Sequence, residues 1–68
     1  MSPAEALAEA WASIDGKDGE FRDCRDDPAL ESVRGTHGGY LAEAGELILR
    51  LGERGFRIVP HPEKAGGR

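Results

Sequence analysis

Seven carboxylates, Asp15, Asp18, Glu20, Asp23, Asp26, Asp27 and Glu31, fall within seventeen residues, with Lys17, Arg22 and Arg25 interspersed. Side chains this dense in charge suit a divalent cation, a hydrated face or a basic partner. A calcium loop needs oxygen ligands at alternating positions and a glycine at the sixth. Starting at Asp15 puts Lys17 and Gly19 where oxygens belong, and placing Gly19 at the turn makes Ile14 the first ligand. Neither register fits. By charge alone the seven residues read as a solvated acidic face; the sharper reading is a partner-binding surface, each carboxylate facing Lys or Arg on another protein, with Glu5 and Glu9 extending it.

Other chemistry has less to work with. Cys24, His37 and His61 show neither the C-x-x-C nor the H-x-x-x-H spacing common in zinc sites, so no metal is expected. Cys24 and His37 are the residue types of a thiolate and its base, but no motif joins them, and Cys24 reads as a half-buried small hydrophobe or an intermolecular disulfide site. Gly35-Thr36-His37-Gly38-Gly39 lacks the Lys-Ser/Thr ending of a phosphate loop and reads as a glycine-rich turn into a helix. Trp11 and Tyr40 sit on helical stripes, as core residues do. The expectation is a protein without catalytic residues or cofactor, acting by presenting a surface.

Length and charge point the same way. A chain of 68 residues buries only about 60% of its unfolded surface. Nine of its 26 hydrophobic residues are Ala, leaving 17 larger ones for a single thin core. A roomy enclosed active site does not fit. One cysteine cannot close an internal disulfide, which makes homodimerisation the natural substitute. The net charge of −4 hides an asymmetry: residues 1–31 carry −6 and residues 32–68 carry +2. An acidic protein is a poor direct ligand for nucleic acid, whose phosphates demand a basic surface. The converse relation is open to it, because closely spaced carboxylates can stand in for a phosphate backbone in a partner's basic groove. There is no run of 18 apolar residues and no basic segment followed by an apolar one at the start, which predicts a cytoplasmic chain without a membrane partner.

The elements that must position these residues follow from periodicity and caps. Ser2-Pro3-Ala4-Glu5 is a capping-box start, and Leu7, Trp11 and Ile14 give the following helix an apolar stripe, leaving Glu5 and Glu9 in water. Asp15-Gly16 stops it. Residues 15–27, with only Phe21 and Cys24 as anchors, read as an acidic connector without regular structure. Asp27-Pro28 starts a short helix carrying Leu30 and Val33. Tyr40, Leu41, Ala44, Leu47, Ile48 and Leu51 mark the main helix, whose phase continues back through the preceding one with a break or kink near Gly35, and Thr36 as its cap. Gly55 suits a left-handed C-terminal cap, and Phe56-Arg57-Ile58-Val59 reads as a short strand that pairs with the connector, a second chain or a target. The expected fold is mainly α, a small α+β domain over residues 1–60: two principal helices, a short one between them, and one C-terminal strand. Residues 61–68, rich in Pro and Gly, are expected to be a flexible tail.

Three segments, Trp11-Ala12-Ser13-Ile14-Asp15-Gly16-Lys17, Gly39-Tyr40-Leu41-Ala42-Glu43-Ala44 and Arg54-Gly55-Phe56-Arg57-Ile58-Val59-Pro60, resemble short proteins of alphaproteobacterial phages and prophages. The resemblance spans residues 3–60. In size and acidity the chain also resembles anti-CRISPR inhibitors of type I systems, whose members bind the Cascade surveillance complex and prevent target-DNA binding. This implies a phage-encoded inhibitor acting in the cytoplasm of a host bacterium, and carries over no individual catalytic or binding residue. The alternative expectation is a homodimeric phage structural or regulatory protein without enzymatic activity.

Overall fold

Ser2 and Pro3 begin the first helix as their chemistry dictates. The Ser2 hydroxyl accepts from the Glu5 amide at 3.2 Å, and Pro3 occupies a position whose N–H has no helical partner. In the computed structural model, which describes residues 1–59, this helix is α1 (Pro3–Ile14), followed by α2 (Asp18–Asp26), α3 (Pro28–Arg34) and α4 (Thr36–Glu53). The expected flexible tail, Pro60 and His61 lie outside the described residues.

The fold is all helical among the described residues, which corrects the expected α+β class. Phe56–Val59 has β-favouring side chains but no ladder partner among the described residues, and strand propensity without a second strand leaves the backbone groups unpaired. The acidic connector is also corrected, since most of it is α2. Phe21 and Cys24, three residues apart, supply one buried face. Asp18 and Glu20 favour the positive N-terminal end of the helix, and Arg25 the negative C-terminal end. Two apolar anchors suffice because a nine-residue helix has only one face to bury.

Turns end the helices where glycine was expected. After α1 the Lys17 amide donates to the Ala12 carbonyl at 2.7 Å and the Gly16 amide to Ser13 at 3.0 Å. After α4 the Phe56 amide donates to Leu51 at 3.0 Å and the Gly55 amide to Gly52 at 3.1 Å. Both sets form the paired closing bonds that satisfy orphan helix carbonyls. The break between α3 and α4 falls at Gly35, whose φ of 67° lies in the left-handed region that side-chain-bearing residues avoid. Thr36 is not the cap. It is the first helical residue, buried, with its hydroxyl turned to Glu20.

The core is as thin as the composition implies. Ala8, Ala12, Phe21, Cys24 and Ala44 are buried, with Leu7, Tyr40 and Leu41 packed around them. Ala8 and Ala12 lie four residues apart on α1, and Ala44 faces inward from α4, so small side chains occupy the places where these helices pack. Ile14 falls about 200° around the helix from Ala12 and is 83% exposed, which removes it from the expected stripe. Phe21 supplies the bulk that the alanines lack, its ring 5.0 Å from that of His37 and 6.4 Å, edge-on, from that of Tyr40. No helix of the described residues is long and apolar enough to cross a membrane.

Candidate functional site: the acidic face

Most of the seven carboxylates have work to do inside the molecule. Asp27 caps α3, accepting from the Ala29 and Leu30 amides at 3.1 and 3.4 Å. Glu31 reaches from α3 to the start of α4 and accepts from the amides of His37 at 3.0 Å and Gly38 at 2.8 Å. Gly35, at the N-cap position, has no side chain to do this. The carboxylate therefore sits where an anion would bind a free helix N-terminus. Sequence reasoning missed this role because Thr36, the residue after Gly35, was the expected cap.

Glu20 ties α2 to the same junction, accepting from the Thr36 hydroxyl and from Arg34 at 3.1 Å. The Thr36 hydrogen bond, more than the Arg34 and Lys17 charges, holds the Glu20 carboxyl below the usual glutamate value. Asp18 takes Arg22 at 3.5 Å, and Arg22 also reaches Glu9 at 3.2 Å, so Glu9 is half-buried rather than free in water. Glu5 is likewise drawn in. Its carboxylate lies 2.9 Å from His37 Nε2 instead of completing a capping box.

Asp15 accepts from the Tyr40 hydroxyl at 2.6 Å. That bond, with partial burial and the charges of Asp15 and Glu43, pushes the phenol from 10.0 up to about 12. Because the folded value is the higher one, the stability this phenol contributes is complete below pH 10 and is lost as pH rises through about 12. The chain has one tyrosine, so its phenolate absorbance reports this group alone. A titration midpoint near 12 is expected, falling toward 10 in Asp15→Asn; a wild-type midpoint at 10 would rule the bond out in solution.

Two of the seven remain available on one edge. The Asp23 carboxylate has no hydrogen-bond or ion-pair partner among the described residues. Asp26, three residues on, pairs only with its neighbour Arg25, at 3.0 and 3.4 Å, and its side chain is 68% exposed. Arg25 holds the Asp26 carboxyl below its ordinary value, so it stays charged at neutral pH. Asp27 stands beside them at the α2–α3 junction, exposed but committed to its cap.

Cys24 is 1% exposed, which corrects the half-buried reading and places its sulfur out of reach of a second chain. No group of three potential metal ligands comes together among the described residues. An open groove of about 290 Å³ is lined by Asp15, Lys17, Thr36, Gly39, Tyr40 and Glu43, among others, and is polar and shallow. Compared with known proteins, the chain matches no family model, no curated protein and no solved structure.

Proposed function

We propose that this chain is a non-enzymatic binding protein that docks the acidic edge at the end of α2 on a basic, nucleic-acid-contacting surface of a protein partner. The observation that carries the reading is the contrast among the carboxylates. Those of Asp15, Asp18, Glu20, Asp27 and Glu31 are bound within the fold, whereas Asp23 has no partner among the described residues and Asp26 projects into solvent. Neighbouring carboxylates on one helical turn approximate adjacent phosphates, gaining electrostatic steering toward a basic groove. The resemblance to phage inhibitors supplies the specific partner: the Cascade complex of a type I system, with target-DNA binding blocked by occupation of its DNA-contacting surface.

Reversing Asp23 and Asp26 together to Lys tests this without disturbing a helix cap, which reversing Asp27 would do. Binding to purified Cascade is expected to weaken by about a hundredfold, since truncating or reversing interface charges costs roughly 2–5 kcal/mol in the strongest cases. Weakening should be greatest at low salt, where screening is least. Tight binding by the variant would remove the acidic edge as the contact, and absence of wild-type binding would remove Cascade as the partner.

A further inference from the structure

We infer that the C-terminal half of α4 is a self-association surface, on which a second copy of the chain lays its own α4 antiparallel about a two-fold axis level with Leu49. Ala44 is the last fully buried residue of α4. Beyond it the same apolar stripe continues but loses its cover: Leu47 is 39% exposed, and Ile48 and Leu51 are only half-buried. The cause is length. α4 has 18 residues against 12, 9 and 7 in the helices that pack on it, about 27 Å against at most about 18 Å. Past its end Phe56 and Val59 add further exposed apolar surface.

Charge identifies the occupant. Glu43, Leu47 and Leu51 on α4 and Arg54 at its C-cap follow one another at spacings of four, four and three, so they run along one side of the helix and its end as acid, leucine, leucine, base. Such a stripe is its own complement when read in the opposite direction. On an antiparallel copy Leu47 meets Leu51 and Glu43 meets Arg54, and both pairings put the axis beside Leu49. A two-fold interface requires this kind of self-complementarity. Neither end charge has an ion-pair partner among the described residues, and Arg54 donates only to the Arg50 carbonyl, at 3.0 Å. Glu46 and Arg50, by contrast, pair with each other at 2.9 Å. Asp15 and Lys17, which share the groove beside Glu43, offset one another in charge.

This interface is separate from the acidic edge on α2 and does not rest on it, so a dimer that binds no Cascade and a monomer that does are distinct results. Sedimentation of the full chain is expected to show a concentration-dependent dimer, indifferent to reductant because Cys24 is buried. Leu47→Glu should abolish it. Glu43→Arg and Arg54→Glu alone should each weaken dimerisation about tenfold, since either one sets like charges together at two symmetric positions. The double exchange, E43R with R54E, should return the affinity to within about threefold of wild type. Both charge positions are exposed, so the exchange remains informative even where Leu47→Glu unfolds the chain. A wild-type monomer at every concentration, or a dimer whose affinity the single reversals leave unchanged or the double exchange fails to restore, would overturn the inference.

Discussion

Phe21→Ala is expected to leave no cooperatively melting fold near room temperature. Phe21 and Cys24 are the largest side chains fully withdrawn from solvent, and the other members of the core are alanines. Truncating a buried Phe costs about 3–5 kcal/mol, from lost burial and from the cavity left behind. A chain of this length has a total stability of roughly 3–10 kcal/mol at the usual per-residue values, so one residue accounts for a large share. The loss is compounded because His37 and Tyr40, which pack on the ring, also anchor the hydrogen bonds to Glu5 and Asp15. Circular dichroism during heating checks this directly. Ile14→Ala is the control: with that side chain 83% exposed, it should shift stability by no more than about 0.5 kcal/mol. A sharp transition in Phe21→Ala close to the wild-type temperature would show that the alanine contacts between α1 and α4 hold the fold unaided.

Glu31→Ala is expected to destabilise by about 1–2 kcal/mol, the range for losing a helix cap. The carboxylate satisfies two amides at the start of α4, and water replaces it only in part because the His37 bond is half-buried. Gly38 provides the second half of the test. A methyl group there would lie 2.8 Å from Glu31 Oε2, closer than carbon and oxygen approach, so the Glu31 carboxylate must shift and its two cap hydrogen bonds are perturbed. Alanine also favours the helix over glycine by about 0.8–1 kcal/mol. In the wild type these effects oppose each other, and Gly38→Ala should be neutral or destabilising. In the Glu31→Ala background only the propensity gain remains, and the same change should stabilise. A double-mutant cycle that shows simple additivity would separate Glu31 from α4.

The acidic stretch shows how far composition reaches. Seven clustered carboxylates were legible as a group, but their individual roles were not, because each depends on what comes within about 3 Å of it in three dimensions. Asp27 was recognisable as a cap from Asp27-Pro28 alone, since capping is local. Glu31 was not, because its amides lie six and seven residues away across a glycine break. Glu20 is more remote still, meeting Arg34 and Thr36 fourteen and sixteen residues along the chain. Reading α2 as an unstructured connector had a related cause: two anchors among charged residues look too few for an element, until a neighbouring core is there to receive Phe21. The strand expected at Phe56–Val59 erred in the other direction. Its local preference was real, and no second strand was present among the described residues to satisfy it.

Sequence by itself determined the local features of this protein. Ser2 and Asp27 start helices, Gly16, Gly35 and Gly55 end them, and the alanine-rich composition makes the core thin. These follow from backbone sterics and from hydrogen bonds spanning a few residues, which any chain with this order of side chains would form. Tertiary structure alone decided which carboxylates face outward. Packing four helices around Phe21 draws Glu5, Asp15, Glu20 and Glu31 into bonds with α3 and α4, and leaves Asp23 and Asp26 on an open edge. It also decided that α4 outruns the helices covering it, because coverage is a relation between elements and no single segment encodes it.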